Sequence, residues 1–252
     1  MDGISPASLR SGIAARPSAA IIEVSGLSKR YGEQVAIADI CFVASAGQIL
    51  GIIGPNGAGK TTLLETLVGL LPADSGAVCL DGQDVSPSRR RQSMFYVPDE
   101  VRPYQDQFVG QVLMFFGAVY RRPPAGIAQI IATLELQPVL GKRVHALSKG
   151  YRRRLLLALG LLAPHPILLM DEPFDGFDLR QTRQMAPLLR READNGRALL
   201  LSIHQLPHAE RICDRFILLA AGRNCGSGTL DELRDRTGLP QANLEEVFLA
   251  LT

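Results

Sequence analysis

A glycine-rich segment that ends in lysine and threonine offers the clearest chemistry in this sequence. Residues 54–61 read G-P-N-G-A-G-K-T, which fits the spacing G-x-x-x-x-G-K-S/T. Glycines at these positions let backbone N–H groups wrap around phosphates, and a following helix adds the favourable charge of its N-terminus. Lys60 would reach the β- and γ-phosphates, while the Thr61 hydroxyl would bind Mg²⁺. The segment predicts a nucleoside triphosphate site formed by Gly54, Pro55, Asn56, Gly57, Ala58, Gly59, Lys60, Thr61 and Thr62.

Two acidic residues follow a second apolar run. Residues 167–170 are all apolar, and Asp171 and Glu172 come directly after them. In a parallel sheet, the residues that follow a strand lie at its carboxyl edge, where ligands bind. Asp171 would hold Mg²⁺ through water, and Glu172 would orient and deprotonate the attacking water, or polarise it. The pair therefore predicts hydrolysis of the triphosphate.

The elements that must position these residues alternate between strand and helix patterns. Residues 48–53 form an apolar run typical of a buried parallel strand, and residues 61–71 have a helical pattern. Further strands are predicted at 21–24, 35–43, 76–82, 167–170, 198–203 and 216–219. This alternation predicts an α/β fold with a parallel sheet.

The chain divides into segments of different composition. Residues 1–20 are rich in Ala, Ser, Gly and Arg, which is typical of a transit peptide or of an unstructured extension, and we expect disorder. Residues 21–252 are predicted to form a single domain, with a core at 21–100 and 164–230, a helical insertion at 101–163 and a tail at 231–252. Within the tail, Leu244, Val247, Phe248 and Leu251 share one face of a helix, which we expect to pack on the core.

Composition excludes several classes of protein. The net charge of +2 gives no general basis for nucleic-acid binding, and we expect none. The four cysteines form no C-x-x-C pair, which argues against a zinc cluster or a disulfide framework and favours a reducing compartment. The longest apolar runs, 108–120 and 155–163, are shorter than the about 20 residues that cross a bilayer. Any role at a membrane must therefore come through another polypeptide.

The phosphate-binding segment alone does not choose among GTPases, kinases, helicases and transporter ATPases. The N-K-x-D sequence by which a GTPase reads guanine does not occur in the chain. A third segment, Ser148-Lys149-Gly150-Tyr151, lies between the other two. Ser148 suits a helix N-cap and Gly150 exposes backbone N–H groups, so by itself this segment reads as an ordinary capped helix.

With these three elements in order, the sequence from about residue 21 to 252 resembles the ATP-binding subunit of an ABC transporter. Ser148, Lys149, Gly150 and Tyr151 occupy the place of the signature motif L-S-G-G-Q, and Lys149 and Tyr151 depart from that consensus as in the ABC-2 exporter group. The resemblance implies a P-loop NTPase (RecA-like) core with an N-terminal antiparallel β subdomain and a helical insertion. It also implies ATP and Mg²⁺ as the bound groups.

Other positions match motifs of the same family. Tyr31 resembles the aromatic residue that stacks on adenine, because a planar base suits a π face. Asp178 matches the final Asp of the D-loop, and His204 resembles the switch histidine that contacts the γ-phosphate. The tail 245–252 is similar to the end common among ABC-2 cassettes and favours export.

One position departs from the family. After residues 94–98, most ABC cassettes have a glutamine that reaches Mg²⁺ and the attacking water, but this chain has Asp99, followed by Glu100. Asp is shorter and charged, so it binds Mg²⁺ strongly but reaches less far. We expect Asp99 to act as a Mg²⁺-dependent residue of this loop. The alternative is that Asp99 faces solvent and Glu100 takes the role.

The resemblance implies partners as well as chemistry. In the family the signature motif caps the ATP of the opposite subunit, so two cassettes would bind head to tail, as a homodimer or with a related cassette. The insertion 101–163 would contact transmembrane permease subunits, with the chain peripheral on the cytoplasmic face of the cell membrane. The alternatives are a soluble ABC ATPase acting on ribosomes or DNA, which usually has two cassettes or a long coiled coil, and an inactive regulatory cassette. The intact set Lys60, Asp171, Glu172 and His204 argues against the inactive form.

Overall fold

The computed structural model describes residues 20–99 and 104–252. Its strands are β1 (Ala20–Tyr31), β2 (Gln34–Ser45), β3 (Ile49–Ile53), β4 (Ser75–Leu80), β5 (Gln83–Asp84), β6 (Met94–Val97), β7 (Ile167–Asp171), β8 (Ala198–Ile203), β9 (Arg215–Ala220) and β10 (Arg223–Gly228). Its α-helices are α1 (Lys60–Val68), α2 (Pro87–Ser93), α3 (Val109–Val119), α4 (Pro124–Thr133), α5 (Lys149–Leu162), α6 (Leu179–Asp194), α7 (Leu206–Ile212), α8 (Leu230–Thr237) and α9 (Leu244–Leu251). The predicted N-terminal extension, apart from Ala20, and Glu100 lie outside the described residues.

A six-stranded sheet in the order β10-β9-β3-β8-β7-β6 forms the centre of the molecule. Strands β9, β3, β8, β7 and β6 run parallel, and β10 pairs antiparallel with β9. Every residue of β3, β7 and β8 is buried, as their continuous apolar runs predict. Because β8 separates β3 from β7, the carboxyl ends of all three lie side by side at one edge. That edge carries the glycine-rich segment, the two acids and His204.

A second sheet, in the order β2-β1-β4-β5, is antiparallel. Its buried residues, including Ile22, Val24 and Ile37, share one hydrophobic core with α1 and with the near face of the central sheet. The antiparallel β subdomain and the α/β core expected from the family resemblance are therefore confirmed.

The middle of the chain folds into α3, α4 and α5. Helix α5 is buried along residues 153–162, and it packs on α3, α4 and β6 within one large core. The buried Arg154 of α5 donates to the Leu134 carbonyl at 3.1 Å and to Glu135 Oε2 at 2.5 Å. These contacts fix α5 to the preceding helices, so its N-terminus has a defined position. The division into core, insertion and tail remains a prediction.

The tail ends in α9, which packs against the core. Leu244 and Val247 are buried, and Phe248 and Leu251 pack beside them, which confirms the predicted apolar face. Asn243 caps this helix by accepting from the Glu246 amide. Across residues 20–99 and 104–252, no helix combines the length and the apolar character that crossing a membrane requires.

Candidate active site

The glycine-rich segment forms the turn between β3 and α1. Gly57 and Gly59 have φ values of 81° and 101°, which glycine adopts at little cost. A Cβ atom at Gly59 would lie 2.5 Å from the Ala36 carbonyl oxygen, and one at Gly54 would lie 2.3 Å from the Leu219 carbonyl oxygen. Glycine is therefore required at Gly54 and Gly59 because neighbouring backbone approaches too closely for a side chain.

An open cleft of about 330 Å³ lies over this turn. Its lining consists of Tyr31, Gln34, Val35, Ala36, Asn56, Gly57, Gly59, Lys60, Thr61, Thr62, Asp99, Asp171 and Glu172. Of the predicted phosphate-binding residues, Gly54 and Ala58 are buried in the turn beneath the cleft. The cleft thus combines residues of both sheets with the start of α1.

Lys60 is the cation at the floor of the cleft. Its buried ammonium donates to the carbonyl oxygens of Gly54 at 2.9 Å and Pro55 at 3.3 Å. Its Nζ atom also lies 3.4 Å from Glu172 Oε1. A buried ammonium needs such partners, because leaving it unpaired would be costly. The two carbonyls orient Lys60 across the turn, where a phosphate oxygen would meet it.

Asp171 and Thr61 supply oxygen atoms at the centre of the cleft. The Thr61 hydroxyl donates to Asp171 Oδ2 at 2.6 Å, although the two residues come from different elements. Asp171 is only 2% exposed, and Ser202 donates a hydrogen bond to its Oδ1 atom. Hydroxyl and carboxylate oxygens are the donors that Mg²⁺ prefers, so this pair fits the ion predicted from the sequence.

Tyr96 reaches the same carboxylate from β6. Its hydroxyl lies 3.4 Å from Asp171 Oδ2. Burial, and then the negative charge of Asp171, raise the pKa of Tyr96 far above its ordinary value. The phenol therefore stays protonated and acts as a donor to Asp171.

Glu172 lies next to Asp171 in an unusual backbone conformation. Its φ of 48° is in the left-handed region, which is rare for residues other than glycine and is typical of functional sites. The Glu172 amide donates to the Ser202 hydroxyl at 2.9 Å. Its carboxylate is held from two sides, by Lys60 at Oε1 and by His204, whose Nδ1 lies 2.7 Å from Oε2. The structure thus brings Lys60, Glu172 and His204 together, as the sequence predicts.

Tyr31 stands at the rim of the cleft. It is the last residue of β1, half of its surface is exposed, and the Lys29 ammonium lies 5.8 Å from its ring centroid. An exposed ring beside the phosphate-binding turn is available to stack on a base, and this role of Tyr31 stays a prediction.

The signature segment lies at the start of α5. Ser148 is the N-cap of that helix, and its hydroxyl accepts from the Tyr151 amide at 3.4 Å. Lys149 pairs with Asp175 at 2.6 Å. Ser148 and Lys149 are exposed, and none of residues 148–151 is among the described residues that line the cleft.

Asp178, predicted as the D-loop aspartate, is the N-cap of α6. Its carboxylate accepts from the Gln181 amide at 2.7 Å, and the Gln181 side chain accepts from the Asp178 amide. This reciprocal pair satisfies two backbone donors at the start of the helix. The exposed Asp178 therefore has a structural role in its own chain.

Asp99 lines the cleft, but its carboxylate is paired with Arg153 of α5. Neither alternative that the sequence suggested for Asp99 includes this partner. Glu100, the other candidate for the role, lies outside the described residues.

Sequence reasoning missed three side chains that shape the site. Ser202 lies opposite Asp171 in the register of β8 and β7, and it is the polar residue of an otherwise apolar strand. That pattern could have identified Ser202. Tyr96 and Arg153 carried no comparable signal, because their roles depend on which elements pack together.

Known proteins resemble this chain over most of its length. A family model described as ABC transporter matches residues 37–175. A Nod factor export ATP-binding protein of Ralstonia nicotianae is 35% identical over 222 residues, which cover 86% of this chain and 69% of the relative. A solved ATP-binding subunit of an ABC transporter is 30% identical, with a TM-score of 0.83 over 92% of this chain and 99% of that one. A second ATP-binding cassette, solved without nucleotide, is 19% identical and shares the fold with a TM-score of 0.75 over 91% of this chain and 99% of that one. The chain therefore belongs to the ABC transporter family, as one of its ATP-binding and ATP-hydrolysing subunits.

Proposed function

We propose that this ATPase drives export through separate transmembrane permease subunits, as one of two cassettes that bind head to tail around two ATP molecules with Mg²⁺. The observation that carries the hydrolytic part of this proposal is the position of Glu172. Its carboxylate is fixed between Lys60 and His204, and it adjoins the oxygen pair formed by Thr61 and Asp171.

Each side chain of the cleft would have a different role in ATP hydrolysis. Lys60 and the backbone N–H groups of the turn would bind the β- and γ-phosphates, and Tyr31 would stack on the adenine. Glu172 would orient the attacking water and accept its proton, while His204 holds the Glu172 carboxylate in place. When Mg²⁺ is bound, held by Thr61 and Asp171, it supplies charge neutralisation for the phosphates.

A head-to-tail pair of cassettes gives the exposed signature segment a role. Ser148 and Gly150 lie outside the cleft of their own chain, at the N-terminus of the long helix α5. The backbone N–H groups at such an end attract anions. Docked on a second cassette, this end would cap the γ-phosphate in the partner's cleft. Asp178 would lie near the same interface.

An apolar surface on the helical segment supports an association with membrane subunits. We define the aromatic surface as Tyr104, Phe108, Met114, Phe115 and Val119, each of which is at least 40% exposed. The Tyr104 and Phe115 rings meet edge to face at 5.7 Å. Exposed apolar clusters of this kind are typical of protein interfaces. Because ATP is available in the cytoplasm, we place the chain on the cytoplasmic face of the cell membrane.

Export is the direction that the relatives favour. The relative from Ralstonia nicotianae carries export of Nod factor in its name. We extend export, but not that substrate, to this chain. The substrate would contact the transmembrane subunits.

Mixing two defective variants tests the composite sites. Ser148→Arg places a bulky cation in the cap of the partner's site, and Lys60→Ala removes the phosphate-binding ammonium. Each variant alone should lose dimerisation that depends on ATP, measured by size-exclusion chromatography with Mg²⁺–ATP. A mixed dimer has one site with both residues intact, so mixing should restore part of the dimer. Normal dimerisation by Ser148→Arg alone would contradict the proposal.

A further inference from the structure

Arg153 connects three segments of the active site. Its guanidinium donates to the Asp171 carbonyl at 3.3 Å, to the Asp175 carbonyl at 3.4 Å and, in an ion pair, to the Asp99 carboxylate. These partners lie at the end of β7, in the loop before α6 and in the loop after β6. Arg153 itself comes from the first turns of α5, one helical turn after Lys149. One side chain thus joins the helix that carries the signature segment to the cleft of its own chain.

The two ends of the ion pair are in different environments. The Arg153 side chain is 4% exposed, whereas the Asp99 side chain is 34% exposed and lines the cleft. A guanidinium this deeply buried needs anionic or carbonyl partners, and Arg153 has both. For Asp99 the pair cancels a negative charge that would otherwise face the phosphates of ATP. Arg suits this position because its fork can serve several acceptors at once.

We propose that Arg153 is a positioning residue for ATP hydrolysis: it holds Asp99 in place and neutralises it, so that the anionic nucleotide can enter the cleft. The proposal rests on the ATP site described under the proposed function. Under this proposal, Arg153 is needed for ATP binding mainly because the Asp99 carboxylate is present. This dependence on Asp99 distinguishes the proposed role from a purely structural role of Arg153 in the packing of α5.

The test is a suppressor experiment with ATP as the probe. Arg153→Gln leaves the Asp99 carboxylate uncompensated, so the KM for ATP at limiting Mg²⁺ should rise about tenfold while kcat changes less. Adding Asp99→Asn removes that charge and should return the KM to within about twofold of the wild type. A purely structural Arg153 would leave the double variant as impaired as Arg153→Gln, and this result would overturn the proposal.

The neighbouring arginine provides a matched control. Arg154 is also buried in α5 and pairs with Glu135, but neither residue lines the cleft. Arg154→Gln should lower the thermal unfolding temperature, and because Glu135 lies outside the cleft, Glu135→Gln should not reverse any change that Arg154→Gln makes in the KM for ATP. Restoration of the KM by Glu135→Gln as complete as that by Asp99→Asn would also overturn the proposal, because it would show that suppression does not depend on a charge in the cleft.

A milder variant keeps the test decisive if Arg153→Gln does not fold. Arg153→Lys retains the charge but loses the fork, so the KM should rise about threefold and Asp99→Asn should again restore it. No restoration in that background would overturn the proposal. A wild-type chain without ATPase activity would contradict the proposed function itself, whereas normal wild-type activity without suppression would contradict only the role of Arg153.

Discussion

His204 Nδ1 lies 2.7 Å from Glu172 Oε2, across the ends of two adjacent parallel strands. The His204 amide lies 3.3 Å from the same oxygen, so one residue contacts it twice. The other carboxylate oxygen of Glu172 faces the Lys60 ammonium. Because both oxygens have defined partners, the carboxylate has a fixed orientation toward the cleft. A general base needs such an orientation to accept a proton from a bound water.

Replacing Glu172 by Gln should abolish turnover while ATP still binds. An amide cannot accept the proton, and loss of a positioned base lowers rates by about 10²–10⁴-fold. The measurement is kcat for ATP hydrolysis, together with ATP affinity by calorimetry. Glu192→Gln is the matched control, because Glu192 pairs with Arg197 outside the cleft. A wild-type rate for Glu172→Gln would remove Glu172 as the base.

Much of the site could be predicted because its residues are neighbours in sequence. The turn Gly54–Thr61 and the pair Asp171 and Glu172 are each contiguous, and each comes directly after an unbroken apolar run, 49–53 or 167–170. The local sequence therefore indicated both the residues of the site and the strands that position them. Arg153 differs: its importance comes from contacts with segments far along the chain, and a row of three arginines in a helix gives no sign of which one is buried toward the cleft.

The missed parts of the fold have weak or interrupted patterns. Strand β1 continues to Tyr31, but its register shifts between Val24 and Leu27, around a Gly26 with a φ of 62°. Such a bulge breaks the alternation that predicts a strand. Strand β10 is polar and rich in glycine, and it lies at the sheet edge, so its pairing with β9 forms without an apolar run.

Gly59→Ala should destroy ATP binding, whereas Gly57→Ala should weaken it far less. Both positions have positive φ, which costs an alanine about 1–2 kcal/mol. The two differ in space: the new Cβ meets the Ala36 carbonyl at Gly59, but finds no described atom within 4 Å at Gly57. Comparing ATP affinities of both variants by calorimetry checks this. Equal losses would show that strain, and not contact with β2, makes the glycines necessary.

His165 should make the protein less stable in mild acid. Its ring lies 5.5 Å from that of Phe95 and 5.8 Å from that of Tyr120. Burial, and then the positive charge of Arg197, lower the pKa of His165 below its ordinary value. The unfolded chain therefore binds the proton more readily, and the free energy of unfolding should fall as pH drops below about 6.5.

Urea unfolding at several pH values measures this effect. His165→Phe, which keeps an aromatic ring in the cluster, should reduce the loss of stability between neutral and mildly acid pH. Burial also lowers the pKa of His208, so part of the dependence should remain. His145→Gln is the control, since His145 is exposed. An unchanged pH dependence in His165→Phe would contradict the assignment.

Phe115→Ser should uncouple the cassette from its membrane partner and leave its own ATPase activity intact. Phe115 is 52% exposed at the centre of the aromatic surface, and loss of an aromatic anchor weakens binding about 30-fold, or about 2 kcal/mol. Recovery of a polytopic membrane protein with the tagged chain, and transport in membranes, are the measurements. Leu249→Ser is the control, because Leu249 is 69% exposed on α9, away from that surface. Cosedimentation of the wild type with ribosomes, lost in Phe115→Ser, would instead assign the aromatic surface to a soluble ATPase.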